Sequence, residues 1–170
     1  RRFFLSEIAS HIGQQRLSLC CLSMDPACTD CMPFRWRGYK VIPGFTYRIK
    51  LTKPKKEIQA NFSSARRRNI RSALRDSLRI ESLESYSLVE SLAQKTFDRQ
   101  NKRFPVDALR RILYDVTCPE NSFAFAAFDG SKPIACVFCV FDKHTAYYLI
   151  GGYDSADAHP GAGAACMEAA

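Results

Sequence analysis

Hydrophobic residues crowd into three closely spaced runs near the end of the chain, residues 123–128, 133–141 and 145–153. Each has strand length, and the breaks between them are turn chemistry: Asp129-Gly130-Ser131-Lys132 and Asp142-Lys143-His144. Asp-Gly between apolar runs is a strong hairpin signal, because the turn needs positive φ where Gly and Asp are cheapest. In the middle run Ile134, Cys136, Phe138 and Val140 fall on one face, and Ala135, Val137, Cys139 and Phe141 on the other. Both faces are apolar, which predicts a central strand covered on both sides.

Upstream, the spacing turns helical. Ile58, Phe62, Ile70, Ala73, Leu74 and Leu78 predict one helix over residues 57–78. A short strand follows at 79–83. Ser87 stands three residues before Glu90, a capping-box spacing, and Leu88, Val89, Leu92, Ala93, Thr96 and Phe97 form the stripe behind it. Pro105 opens a further helix, carried by Val106, Leu109, Ile112, Leu113 and Val116 until Pro119 ends it. Near the start, Phe4, Ile8, Ile12 and Leu19 predict a helix, with a short strand at 17–22 and a loop at 24–32 around Pro26. Residues 45–51 alternate, with Arg48 and Lys50 on the polar side, and predict a half-exposed edge strand.

At 170 residues the chain has the length of one ordinary domain. No apolar run approaches the ~20 residues of a membrane-spanning helix. The chain does not begin with Met and stops inside an apparent helix, so a piece of a longer protein is expected. Its first residues do not read as a signal peptide, and its cysteines read as small buried hydrophobes of a reducing compartment, so a cytoplasmic location is expected. Its net charge of +8 favours polyanions or phosphorylated cofactors. Arg67, Arg71 and Arg75 stack at i, i+4, i+8 of the predicted helix, and Arg66, Arg68 and Arg79 widen that surface. Trp36 and Tyr39 lie among basic residues, a pattern suited to stacking plus phosphate contact; the plainer reading packs them under a loop. Eight cysteines include two CxxC pairs, Cys28 with Cys31 and Cys136 with Cys139. The second pair lies on a strand, where a spacing of three points to opposite faces, so no metal site is expected.

After the last strand the chain runs through small residues, Asp154-Ser155-Ala156-Asp157-Ala158-His159-Pro160-Gly161-Ala162-Gly163-Ala164-Ala165, into a helix. The bare N–H groups of a helix start favour anions such as phosphate, and glycine lets a ligand come close. The plainer reading is a flexible connector.

Four segments in this order are similar to the GNAT acyltransferase fold, and within it to the Fem-type aminoacyltransferases. They are Trp36-Arg37-Gly38-Tyr39, Phe45-Thr46-Tyr47-Arg48-Ile49, the Arg67, Ile70, Arg71, Ala73 group, and Tyr147-Tyr148-Leu149-Ile150-Gly151-Gly152-Tyr153-Asp154 with Gly161-Ala162. The resemblance implies an α/β (α+β) fold, a mixed and mainly antiparallel sheet flanked by helices, with the C-terminal half of the fold missing. Residues 1–32 would be an N-terminal helix and loop, and 33–170 a truncated acyltransferase domain.

The resemblance further implies acyl transfer from acetyl-CoA to a small-molecule or peptide amine, with the pyrophosphate on Gly161, Ala162, Gly163 and Ala164. Ala158 stands where the family's signature has Gln or Arg. Direct attack on a thioester needs a neutral amine and a route for its proton. Asp154 is the expected proton acceptor, with turn capping its plainer role, and Tyr148 the expected partner in the acceptor site. Trp36, Tyr39, Arg67 and Arg71 are the expected substrate contacts. No Ser/His/Asp or Cys/His set points to a covalent intermediate. The alternatives are a Fem-type transferase using aminoacyl-tRNA, a basic nucleic-acid-binding module, and an inactive relative that keeps the fold.

Overall fold

The run at 133–141 becomes the centre of the second half of the molecule. In the structure, a computed structural model that describes residues 2–15, 17–25, 27–42 and 44–170, it forms β3 (Lys132–Phe141) between β2 (Ser122–Asp129) and β4 (Ala146–Tyr153). The loop role read for Pro26 lies outside the described residues. β1 (Arg79–Ser82) pairs with β2, so the sheet order is β1-β2-β3-β4 with every pairing antiparallel. Gly130 takes φ 57° in the two-residue turn closing β2 onto β3. Asp142 closes the next hairpin, its carboxylate accepting from the N–H groups of His144 and Thr145.

The chain divides into two compact units, Arg1–Thr52 and Lys53–Ala170. The first contains α1 (Arg2–Gln14) and α2 (Met32–Trp36), joined by a small core of Leu5, Ala9 and Phe34. No strand forms among its described residues, which corrects the strands expected at 17–22 and 45–51. An alternating sequence makes a strand only where a neighbour supplies the other half of the ladder. Here Phe45 and Tyr47 are left almost fully exposed.

In the second unit the helix expected over 57–78 is two, α3 (Lys55–Ala60) and α4 (Ser64–Arg75). Ser63 caps α4, its Oγ accepting from the Arg66 N–H at 3.2 Å. Arg67 donates back to the carbonyls of Ala60 and Phe62, satisfying groups the break would leave bare. α5 (Ser87–Arg99) begins without the expected capping box, because the Glu90 carboxylate is turned to Arg110 and Tyr114. α6 (Val106–Arg110) continues as a π-helical turn, Arg111–Val116, and α7 (Ala162–Ala169) follows β4.

The helices cover both faces of the sheet. Val89, Leu92 and Ala93 of α5, with Leu109 and Leu113, pack on Ala124, Ala126, Cys136 and Phe138. On the other face Ala73 of α4 and Ala162, Ala165 and Cys166 of α7 pack on Ala127, Ala135 and Val137. Ile134 is the exception to the expected alternation. The register slips there, with Ala127 opposite Ala135 and Phe128 opposite Pro133, and the extra residue joins Ala135 on the α4/α7 side.

Candidate functional site

A second slip in the sheet shapes the site. Ile150 pairs with Phe138 but Tyr148 with Cys139, so Leu149 is the extra residue of a bulge in β4. In a regular strand Tyr148 and Gly151 would face opposite ways. With the bulge between them, both line one cavity of about 590 Å3. A Cβ on Gly151 would stand 1.9 Å from the Tyr148 hydroxyl, so the phenol lies directly over that glycine. Gly152 serves packing, since a Cβ there would come within 2.5 Å of the Leu92 Cβ and 2.7 Å of its carbonyl carbon. Thr96 of α5 ties the strand end, its Oγ1 accepting from the Tyr153 N–H at 2.9 Å.

The opposite wall is α7 and the loop before it. His159, Pro160, Gly163 and Ala164 line the cavity, while Ala162 is fully buried behind them. Gly161 is wedged against α4, where a Cβ would meet the Asn69 carbonyl oxygen at 2.2 Å. Gly163 has open space instead. The Ala162 N–H donates to the His159 carbonyl, and the Ala165 N–H to the Gly161 carbonyl. The N–H groups of Gly163 and Ala164 take no acceptor among the described residues. Two bare amide donors at the positive end of a helix dipole therefore belong to residues of the cavity wall.

Burial, first of all, pushes the Tyr148 phenol above its ordinary value, and the neighbouring thiols of Cys136, Cys139 and Cys166 push it the same way. The phenol is thus a protonated hydrogen-bond donor at neutral pH. Burial pushes the thiol of Cys136, also on the cavity wall, up to about 12, which leaves it a neutral, unreactive group. The Glu168 carboxylate on α7 takes Lys55 at 2.8 Å and the Gln59 amide at 2.6 Å. Arg66, Phe62 and Ile70 complete the rim from the α3–α4 side.

The expected site residues separate accordingly. Tyr148, Gly163 and Ala164 line the cavity; Gly161 and Ala162 support it from behind. Asp154 does not line it. Its buried carboxylate accepts from Lys95 and from the Ala156 N–H at 3.0 Å, and those bonds, Lys95 first, hold it below the usual carboxylate range. Arg67 is occupied at the α3–α4 break, and Arg71 lies exposed along α4. Trp36 and Tyr39 belong to the first unit, where Tyr39 packs edge-on to Phe34 and donates to the Ala9 carbonyl at 3.2 Å, and Trp36 is exposed. Sequence reasoning passed over Arg66, Glu168 and Thr96 as site residues. Arg66 was one of a run of arginines, and Thr96 one position in an apolar stripe. Glu168 carried a signal, as the single acid of α7.

Among the described residues no group of three or more His, Cys, Asp or Glu could hold a metal ion, and no helix is long and apolar enough to cross a membrane. No curated protein matches the chain. The family described as acetyltransferase (GNAT) domain matches residues 63–170, from the Ser63 cap of α4 through α7. Bulged β4, the small-residue loop and α7 all fall within that match, and the chain belongs to the GNAT family of acyltransferases.

Proposed function

We propose that this chain transfers an acetyl or related acyl group from acyl-CoA to an amine. The observation that carries the reading is the pair of N–H groups at Gly163 and Ala164, which take no acceptor among the described residues, on the wall of a cavity that Tyr148 also lines. Bare amides at a helix start suit a pyrophosphate, and the absent side chain at Gly163 lets it approach. The thioester supplies an activated acyl carbon. The neutral amine forms the new C–N bond at that carbon, the C–S bond breaks, and the amine proton leaves to solvent. Tyr148, held protonated by burial, donates to the sulfur as the thiolate departs and takes a proton back from solvent, which closes the cycle. Asp154, held anionic by Lys95, is a poor base, and in this reading it anchors the loop after β4.

A calorimetric titration with acetyl-CoA tests the donor site. Gly163→Val is the informative variant, because a side chain there meets open space in the free protein yet covers the bare amides. Micromolar binding by the parent and its loss in a folded Gly163→Val protein are expected. Equal binding by both would remove the helix start from the donor site.

A second reading, the Fem-type one, is favoured by the exposed arginines of α4, Arg66 among them at the cavity rim. There the donor is aminoacyl-tRNA, and the acceptor an amine of a cell-wall precursor. Salt separates the two. A nucleic-acid carrier gives a log–log slope of roughly −0.7 to −0.9 per phosphate contact, whereas a site of backbone amides depends on salt far less. Either donor is a cytoplasmic solute, and the proposal places the reaction there.

A further inference from the structure

His159 lies in the loop between β4 and α7, and each of its polar groups that the structure shows bonded is spent on fixing that loop. Its carbonyl accepts from the Ala162 N–H at 3.1 Å, and its Nδ1 accepts from the Gly161 N–H at 3.0 Å. A nitrogen that accepts carries no proton, so the imidazole is the neutral tautomer with hydrogen on Nε2. That Nε2–H donates to the Asp76 carboxylate at 3.1 Å. Asp76 is the C-cap of α4, gripped in turn by Arg75 at 3.0 Å and by the Ser72 hydroxyl at 3.0 Å. Arg75 first, then His159 and Ser72, keep it ionised.

The first two amides of the helix start are thereby consumed by His159, and the next two, Gly163 and Ala164, remain for a ligand. With both ring nitrogens engaged, His159 has no free position from which to take a proton off a substrate.

We propose that Asp76 and His159 are a positioning pair, which aligns the start of α7 for an anionic acyl donor without touching the reacting atoms. The inference rests on the donor reading above. It has a consequence that packing alone would not have. Taking away the Nδ1 acceptor strands the Gly161 N–H and loosens the loop, and another acceptor at the same place restores it. An Asn at this position offers a side-chain oxygen to the N–H two residues on, the ordinary Asx-turn bond. A Leu offers nothing.

The experiment is calorimetric titration of the whole chain with acetyl-CoA. Thermal melts accompany it, to show each variant folded. His159→Leu should bind roughly 2- to 10-fold more weakly than the parent, the equivalent of one hydrogen bond. His159→Asn should recover most of the affinity, a rescue that a purely space-filling role would not give. Asp76→Ala should weaken binding in the same sense as His159→Leu. Nitrogen shifts of the His159 ring in the free protein give an independent reading and should show hydrogen on Nε2. Parent-like affinity in His159→Leu, or a ring protonated on Nδ1 when neutral, would overturn the pair while leaving the donor site standing. No binding by the folded parent would remove both.

Discussion

Three glycines around the cavity look alike in the sequence and should respond to the same substitution in three ways. At Gly161 an added methyl meets the Asn69 carbonyl and the Ala73 Cβ, two groups that cannot swing aside. Gly161→Ala should therefore cost about 1–3 kcal/mol of stability, read from a shift in the denaturant midpoint. At Gly151 the obstacle is the far end of the Tyr148 side chain, which can rotate. Gly151→Ala should leave the midpoint nearly unchanged while lowering kcat, by moving the phenol. Gly163 meets nothing, and its substitution should appear only in donor affinity. Tyr148→Phe keeps the ring and removes the hydroxyl. Loss of a proton donor at the leaving group should lower kcat about 10²-fold with little change in KM, measured in steady-state assays.

Between elements, two contacts decide whether the cavity keeps its walls. Asp154, just beyond β4, is tied to Lys95 of α5 and depressed by it. A carboxylate with a lowered folded pKa stabilises the fold above its unfolded value, and that contribution is lost as the pH falls through the folded value. Asp154→Asn should therefore lower the urea midpoint near neutral pH, and the parent and variant curves should converge in acid. The break between α3 and α4 is the other contact. A continuous helix was the natural reading of the apolar stripe, yet Ser63 interrupts it and caps α4. Ser63→Ala should cost about 1 kcal/mol in a urea titration, the usual worth of such a cap. Phe62 and Arg66 flank the break and both reach the cavity rim, so donor binding should weaken in parallel.

For the molecule as a whole, the unit from Lys53 onward carries its own core on each face of its sheet. A chain beginning at Lys53 should unfold cooperatively by itself, checked by matching far-ultraviolet and tyrosine signals on heating. Leu92 sits where α5, β4 and the buried face of β3 converge. Leu92→Ala should cost about 2–5 kcal/mol on the usual scale for such truncations, and a single melting transition at lower temperature is expected.

Local chemistry determined the β-hairpins, the doubly covered β3, the helical stripes of α5 and α6, and the small-residue start of α7. Period, turn residues and bulk are written at neighbouring positions, and a neighbour in sequence suffices to read them. Tertiary structure alone decided the rest. Residues 45–51 alternate as a strand should but meet no partner strand among the described residues of their unit, and a ladder needs two. The bulges at Ile134 and Leu149 arise from pairing against another strand, so alternation along one strand misassigned Ile134 and left unseen that Tyr148 and Gly151 share a cavity. Which glycine faces the ligand depended on where α4 lies against α7, and the pairing of His159 with Asp76 joins positions 83 residues apart. Spacing along the chain carries no trace of such a contact, because it exists only once helices and sheet have packed.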